Sequence, residues 1–217
     1  MPELTAPATP AVTRAEIANA AVIAVSGLLI SFASYQATLW GGEQELNFSR
    51  SNILYTQAAR TWDRANVARA ADIELFSHWI DATLHNEPHV AAFYESRIPP
   101  ELRQAFKAWL ALDPTHNSAT PFSPLGMPQY APADERLAKA LEDQGVSAFN
   151  AGRRAKHVSE SYEQAVTIFS TSLFFAGIGQ VFRARVTQNA LFALSVFASV
   201  LGVVRLLTLP FMSLFAS

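Results

Sequence analysis

The chain has no cysteine. Disulfides, thiolate zinc sites and iron–sulfur clusters are therefore excluded, and the redox compartment is left open. Charge is missing from three long stretches, Ile17–Trp40, Gln164–Phe182 and Val186–Val204. The signatures of common catalysis are also missing. There is no glycine-rich phosphate loop, no Gly-x-Ser-x-Gly elbow and no His-Glu-x-x-His pair. Gly177-Ile178-Gly179 lies inside an apolar run and has no third glycine. No catalytic residue and no cofactor follow from the sequence, and it is read as a non-enzyme. A net charge of −2, from 16 basic and 18 acidic residues, gives no reason to expect a nucleic-acid partner.

What is present is an apolar chain diluted by a polar insert, with mean hydropathy +0.15 over 217 residues. The first charge-free stretch would span about 36 Å as a helix and each of the others about 28 Å, against a hydrocarbon core of about 30 Å. The expected fold class is an all-α membrane protein. It has three transmembrane helices, over 15–41, 164–183 and 187–209, with flexible tails at 1–14 and 210–217. The first run is longer than a secretory h-region, and its small-residue pair Ser31 and Ala33 lies within it. It reads as a retained span rather than a cleaved signal.

Between the first two spans, 42–163 is expected to form an antiparallel two-helix stalk with a small helical cap. Gly41–Gly42 closes the first span or marks a hinge. A long helix over 43–86 carries Leu54, Ala58, Trp62, Ala65, Ala68, Asp72, Leu75, Phe76 and Trp79 in steps of three and four. Pro88 stops or bends it. Short helices separated by Pro99–Pro100 and a proline-rich loop fill 88–132, where Phe122, Leu125, Met127 and Tyr130 should pin the loop to the helices. A second long helix over 133–163 then continues into the second span. Small residues on both helices allow close approach. Placing Gly41 opposite Glu163 sets Ala58 against Val146 and Ala65 against Leu137 and Lys139.

Candidate chemistry is sparse. His78, Asp81 and His85 lie roughly along one side of the first long helix, with Glu74 a turn earlier and His89 just beyond. They are weak candidates for a divalent metal, because the spacing is looser than a two-histidine turn. A solvated helix face opposite Leu75, Phe76 and Trp79 is the plainer reading. Arg153-Arg154-Ala155-Lys156 reads as a solvated face pairing with nearby acids. No Asp, Glu, Lys or His lies well within a span, which lowers a transporter reading. They carry small-residue pairs instead, Gly27/Ser31, Ser195/Ser199 and Ala198/Gly202, with Asn19 and Gln36 able to hydrogen-bond between helices.

The link between the last two spans is short and holds Arg183 and Arg185. Short loops report orientation best, so the N-terminus is placed in the cytoplasm and the stalk outside it. Asn47-Phe48-Ser49 matches a glycosylation sequon, a pattern that recurs by chance.

The segments Ser34-Tyr35-Gln36-Ala37-Thr38-Leu39-Trp40, Asp113-Pro114 and Phe174-Phe175-Ala176-Gly177-Ile178 give the chain a layout that resembles uncharacterised bacterial three-span membrane proteins. The resemblance implies a multi-pass location in the bacterial cell membrane and no particular activity. The expected function is a scaffold or assembly protein whose partners are the lipid bilayer and either a second copy or another membrane protein. The cap aromatics Trp79, Phe93, Tyr94, Phe106, Trp109 and Phe122 are either its core or its contact surface. The alternatives are an accessory or pore-forming subunit of a transport system and a metal- or stress-sensing membrane protein.

Overall fold

Glycine at 41 and 42 does not interrupt the first helix, which runs unbroken from Arg14 to Leu84 in the computed structural model. The model describes residues 14–213. Residues 1–13 of the tail expected at 1–14, and 214–217 of the one expected at 210–217, lie outside the described residues. Within them every regular element is helical: α1 (Arg14–Leu84), α2 (Pro88–Ser96), α3 (Pro100–Leu110), a single 3₁₀ turn (Pro124–Gly126), α4 (Ala133–Gly179) and α5 (Arg185–Leu207).

The boundaries correct several expectations. The separate helices expected at 15–41 and 43–86 are one element, since a glycine in a helix costs only about 1 kcal/mol against alanine. Asn86, with φ 58°, makes the reversal after α1, while Pro88 opens α2, where its missing N–H costs nothing. Pro100 opens α3 in the same way, as expected.

Among the described residues two helices, α1 and α5, are long and apolar enough to cross a membrane; α4, which holds the remaining expected span, falls short of that measure. α4 ends at Gly179, short of the expected 183. Its charge-free part, from Gln164, is therefore shorter than the roughly 20 residues of a typical span, and it is rich in hydroxyls.

The chain divides into two compact units, one comprising Met1–Asn47 with Asn150–Ser217, the other Phe48–Phe149. In the Phe48–Phe149 unit, α1 and α4 pair antiparallel. Phe48 meets Phe149 at 5.4 Å, Ser51 Oγ donates to Gly145 O at 2.9 Å, and Arg69 bridges to Glu135 at 3.1 Å. Ser51, Ala58, Ala65, Asp72 and Trp79 recur every seventh residue and all are buried. Ala138, Gly145 and Ala148 face them from α4.

The expected register is wrong at the Ser51 end. It would set Ser51 opposite Arg153, two turns from Gly145, and it pairs Ala58 with Val146 and Ala65 with Leu137, both of which are exposed. A small residue every seventh position offers nearly equivalent faces one heptad apart, so the pattern fixes the face and not the register. The cap builds on the end of α1: Phe76 and Trp79 pack with Ile98, Leu102, Phe106, Trp109, Leu125 and Met127.

In the other unit, the N-terminal part of α1, the C-terminal part of α4, and α5 pack together. Ala33, Ala37, Tyr162, Ala165 and Phe169 form its buried cluster. On α4, Ala155, Tyr162, Phe169 and Ala176 recur every seventh residue and are all buried.

Candidate functional site

The unit that holds the apolar helices is built inside out. Ser26, Gln36, Ser172 and Ser195 are buried, while Leu28, Phe174, Phe197 and Leu207 are 72%, 61%, 66% and 81% exposed. Water would favour the reverse, because each exposed Leu or Phe forgoes about 1.5–3 kcal/mol of burial.

Four serines join the three helices. Ser195 Oγ donates to Ser172 O at 3.0 Å, and Ser172 Oγ donates to Ser195 O at 2.8 Å. This reciprocal pair ties α4 to α5. Ser199 Oγ lies 2.7 Å from Ser172 Oγ and 3.0 Å from Ser26 Oγ on α1. With Ser199 donating to Ser172 and Ser26 donating to Ser199, each hydroxyl spends its one proton once, and the Ser172 and Ser195 Oγ atoms, 3.1 Å apart, touch without a proton between them. Close approach makes this possible. Gly202 on α5 packs against the Phe169 ring, and Ala198 is buried beside it. The pairs Ser195/Ser199 and Ala198/Gly202 thus serve contacts within the chain. Gly27/Ser31 does not: Ser31 is exposed and donates back to Gly27 O.

A second polar contact holds the segment after α5. Gln36, 2% exposed, donates through Nε2 to Met212 O and accepts from Met212 N through Oε1, each at 2.9 Å. The side chain thus replaces a peptide group. Pro210 O accepts from Trp40 Nε1 at 3.2 Å and from Tyr162 Oη at 3.0 Å. The start of the expected flexible tail at 210–217 is therefore tied down, because its backbone groups, past the end of α5, find partners on α1 and α4. Arg205, in the last turn of α5, reaches Ser161 and Gln164 of α4.

In the Phe48–Phe149 unit the cap aromatics separate into two groups. Trp79, Phe106 and Trp109 are core; Trp79 meets Phe106 edge-on at 4.7 Å, and Trp109 Nε1 donates to Pro121 O at 2.6 Å. Tyr94 is half-buried and stacks on His78. Phe93 and Phe122 are 50% and 96% exposed. Phe122 does not pin the loop as expected; Pro124, Leu125 and Met127 take the buried positions instead. Tyr130 does pin it. Its hydroxyl donates to Asp72 Oδ2 at 2.8 Å, and the Arg69 guanidinium lies 5.8 Å from its ring centre. Burial pushes the Asp72 carboxyl above its ordinary range against the opposing effect of the Tyr130 bond, and burial likewise raises Tyr130. Sequence reading placed Asp72 on the helical stripe; a lone acid among apolar stripe positions was the available sign of a buried partner.

The metal candidates do not converge. His78 lies 3.8 Å from Glu74, and His85 Nδ1 lies 2.9 Å from Asp81 O and 3.2 Å from Asp81 Oδ1. The Asp81 carbonyl, then its carboxylate, hold His85 above the usual imidazole range. Among the described residues no three His, Asp or Glu side chains are placed to share a metal ion. Lys156 pairs with Glu160 at 3.6 Å, and Arg153 and Arg154 are exposed. No family model, curated protein or solved structure matches the chain.

Proposed function

We propose that this is an integral membrane protein of three spans that acts as a scaffold through helix contacts rather than as an enzyme. One observation carries the reading: the inverted packing of the apolar unit. Only 17% of the most apolar stretch of α1 and of α5 is buried, whereas the core helix of a soluble protein is mostly buried. Lipid is the solvent that favours outward Leu and Phe with hydroxyls turned inward.

On this reading the end of α4 is the third span. It is short in helix and carries the hydroxyls of the seam, and its lining by α1 and α5 compensates for low apolarity. The Phe48–Phe149 unit is then the water-facing part, an antiparallel two-helix stalk capped by α2, α3 and the proline-rich loop. Arg183 and Arg185 in the short link favour a cytoplasmic N-terminus and an extracytoplasmic stalk. The exposed Phe93 and Phe122 on the cap suit a protein partner, whether a second copy or another membrane component. The resemblance to bacterial three-span proteins supports a place in the cell membrane.

Alkaline carbonate washing of membranes tests the premise: the protein stays in the pellet, and its release overturns the reading. Purification in mild detergent tests the scaffold. A stoichiometric partner, or a discrete oligomer, whose yield falls with Phe122→Ala is the expected result; a bare monomer overturns it.

A further inference from the structure

One end of the apolar unit, away from every contact described so far, holds a cavity of about 520 Å³ between the start of α1, the end of α4 and the start of α5. Its polar wall is Glu16, Asn19, Gln180, Gln188 and Asn189, and Phe175 and Phe192 supply apolar surface. Four neutral amides around one space are unusual at the end of helices otherwise so apolar. The Asn19 amide is fixed in orientation, because Nδ2 donates to Ala176 O at 3.0 Å. Its Oδ1 is then buried with no hydrogen-bond donor among the described residues.

Three arginines border this space in the chain. Arg14 precedes Ala15, which lines it, and Arg183 and Arg185 lie in the link between Gln180 and Gln188. All three are exposed, and none forms an ion pair among the described residues. Cations thus flank the lining residues in the chain, and amides and a carboxylate make the wall.

We infer that this cavity receives the headgroup of an anionic, hydroxyl-bearing phospholipid of the phosphatidylglycerol class. The inference rests on the membrane reading above. The phosphate sits among Arg14, Arg183 and Arg185, whose guanidinium groups match a phosphate in charge and geometry. The glycerol hydroxyls turn inward, donating to the Glu16 carboxylate and exchanging hydrogen bonds with the amides. A choline headgroup fails on both counts, having no net negative charge and no donor. Phe175 and Phe192 meet the apolar part of the lipid. The site thus marks the membrane surface on the side holding the short link.

The test uses the full chain in nanodiscs of equal phosphatidylglycerol and phosphatidylcholine, released into the gas phase to count retained lipids. Phosphatidylglycerol is expected to be retained in preference. Each of Arg14→Gln, Arg183→Gln and Arg185→Gln lowers that preference about fivefold, the effect of one charge near an anionic surface. Gln188→Leu with Asn189→Leu lowers it while leaving all three arginines in place. Helix content by circular dichroism verifies that the variants fold; the three arginines and Asn189 are exposed and Gln188 is half-buried. Equal retention of the two lipids, or a preference that survives the triple arginine variant, overturns the inference. So does binding of soluble glycerol 3-phosphate as tight as that of the lipid, which would make this a site for a free phosphate ester. Failure of the protein to enter nanodiscs at all is a different result, and it removes the membrane reading itself.

Discussion

A Cβ added to Gly202 would lie 2.7 Å from the ring of Phe169. Phe169 is fully buried and has no free direction in which to move. Gly202 is therefore required by contact, and Gly202→Ala is expected to destabilise the apolar unit by about 1–3 kcal/mol. Gly27 is the control, since nothing lies within 4 Å of a Cβ there. Gly27→Ala should raise helix stability by up to about 1 kcal/mol. Thermal unfolding of the two variants in the same detergent should move in opposite directions.

The serine seam makes a second contrast. Ser172→Ala removes the donor to Ser195 O and the acceptor used by Ser199. The expected loss is about 1 kcal/mol, in the range of hydrogen bonds between helices in lipid. Ser34→Ala, at an exposed position of α1, should stay within about 0.5 kcal/mol of the parent. Equal midpoints for the two variants would remove the seam from the account of stability.

Asp72 and Tyr130 give a pH dependence whose sign follows from burial. The Asp72 carboxyl is raised in the folded protein, so the folded state holds its proton more tightly than the unfolded chain. Stability from this group is greatest below the ordinary carboxylate value of 3.8 and falls as pH rises through the folded value. Asp72→Asn keeps an acceptor for Tyr130 and removes the ionisation, so it should flatten this fall and stabilise at neutral pH. Tyr130→Phe should do the opposite, leaving a half-dry carboxylate without its donor at a cost of about 1.5–3 kcal/mol. Denaturant midpoints from pH 3 to 8 would measure both.

Gly41 and Gly42 sit inside a continuous helix without needing to be glycine. A Cβ at Gly41 meets only Ser159 Oγ, at 3.8 Å, and one at Gly42 meets nothing within 4 Å. Alanine at either position should stabilise by about 0.5–1 kcal/mol, partly by reducing the freedom of the unfolded chain. A fall in stability would mean that α1 bends at this pair in solution.

The sequence made the all-helical class legible through steps of three and four, and it placed the divided short helices by Pro99–Pro100. The cap core was legible from Phe76, Trp79, Phe106 and Trp109. The register of α1 on α4 was not legible at the Ser51 end, because Ala58, Ala65, Ala148 and Gly152 repeat at a spacing that tolerates a shift of one heptad. The break after α1 was ascribed to Pro88, although Asn86 in the left-handed region makes it. Gln36 was expected to bond between helices, and it bonds instead to backbone at Met212, a pairing across 176 residues that no local pattern encodes. The four-serine seam was visible only as an abundance of small residues, since composition does not say which hydroxyls meet.

The pairing of Gln36 with Met212 also bears on the order in which the molecule is made. Gln36 is translated 176 residues before its backbone partner Met212. Throughout that interval a side-chain amide set among apolar helices lacks the peptide group it is shaped for. The bundle is therefore latched late, and a stalled ribosome that withholds 210–212 leaves a product with its closing strap undone.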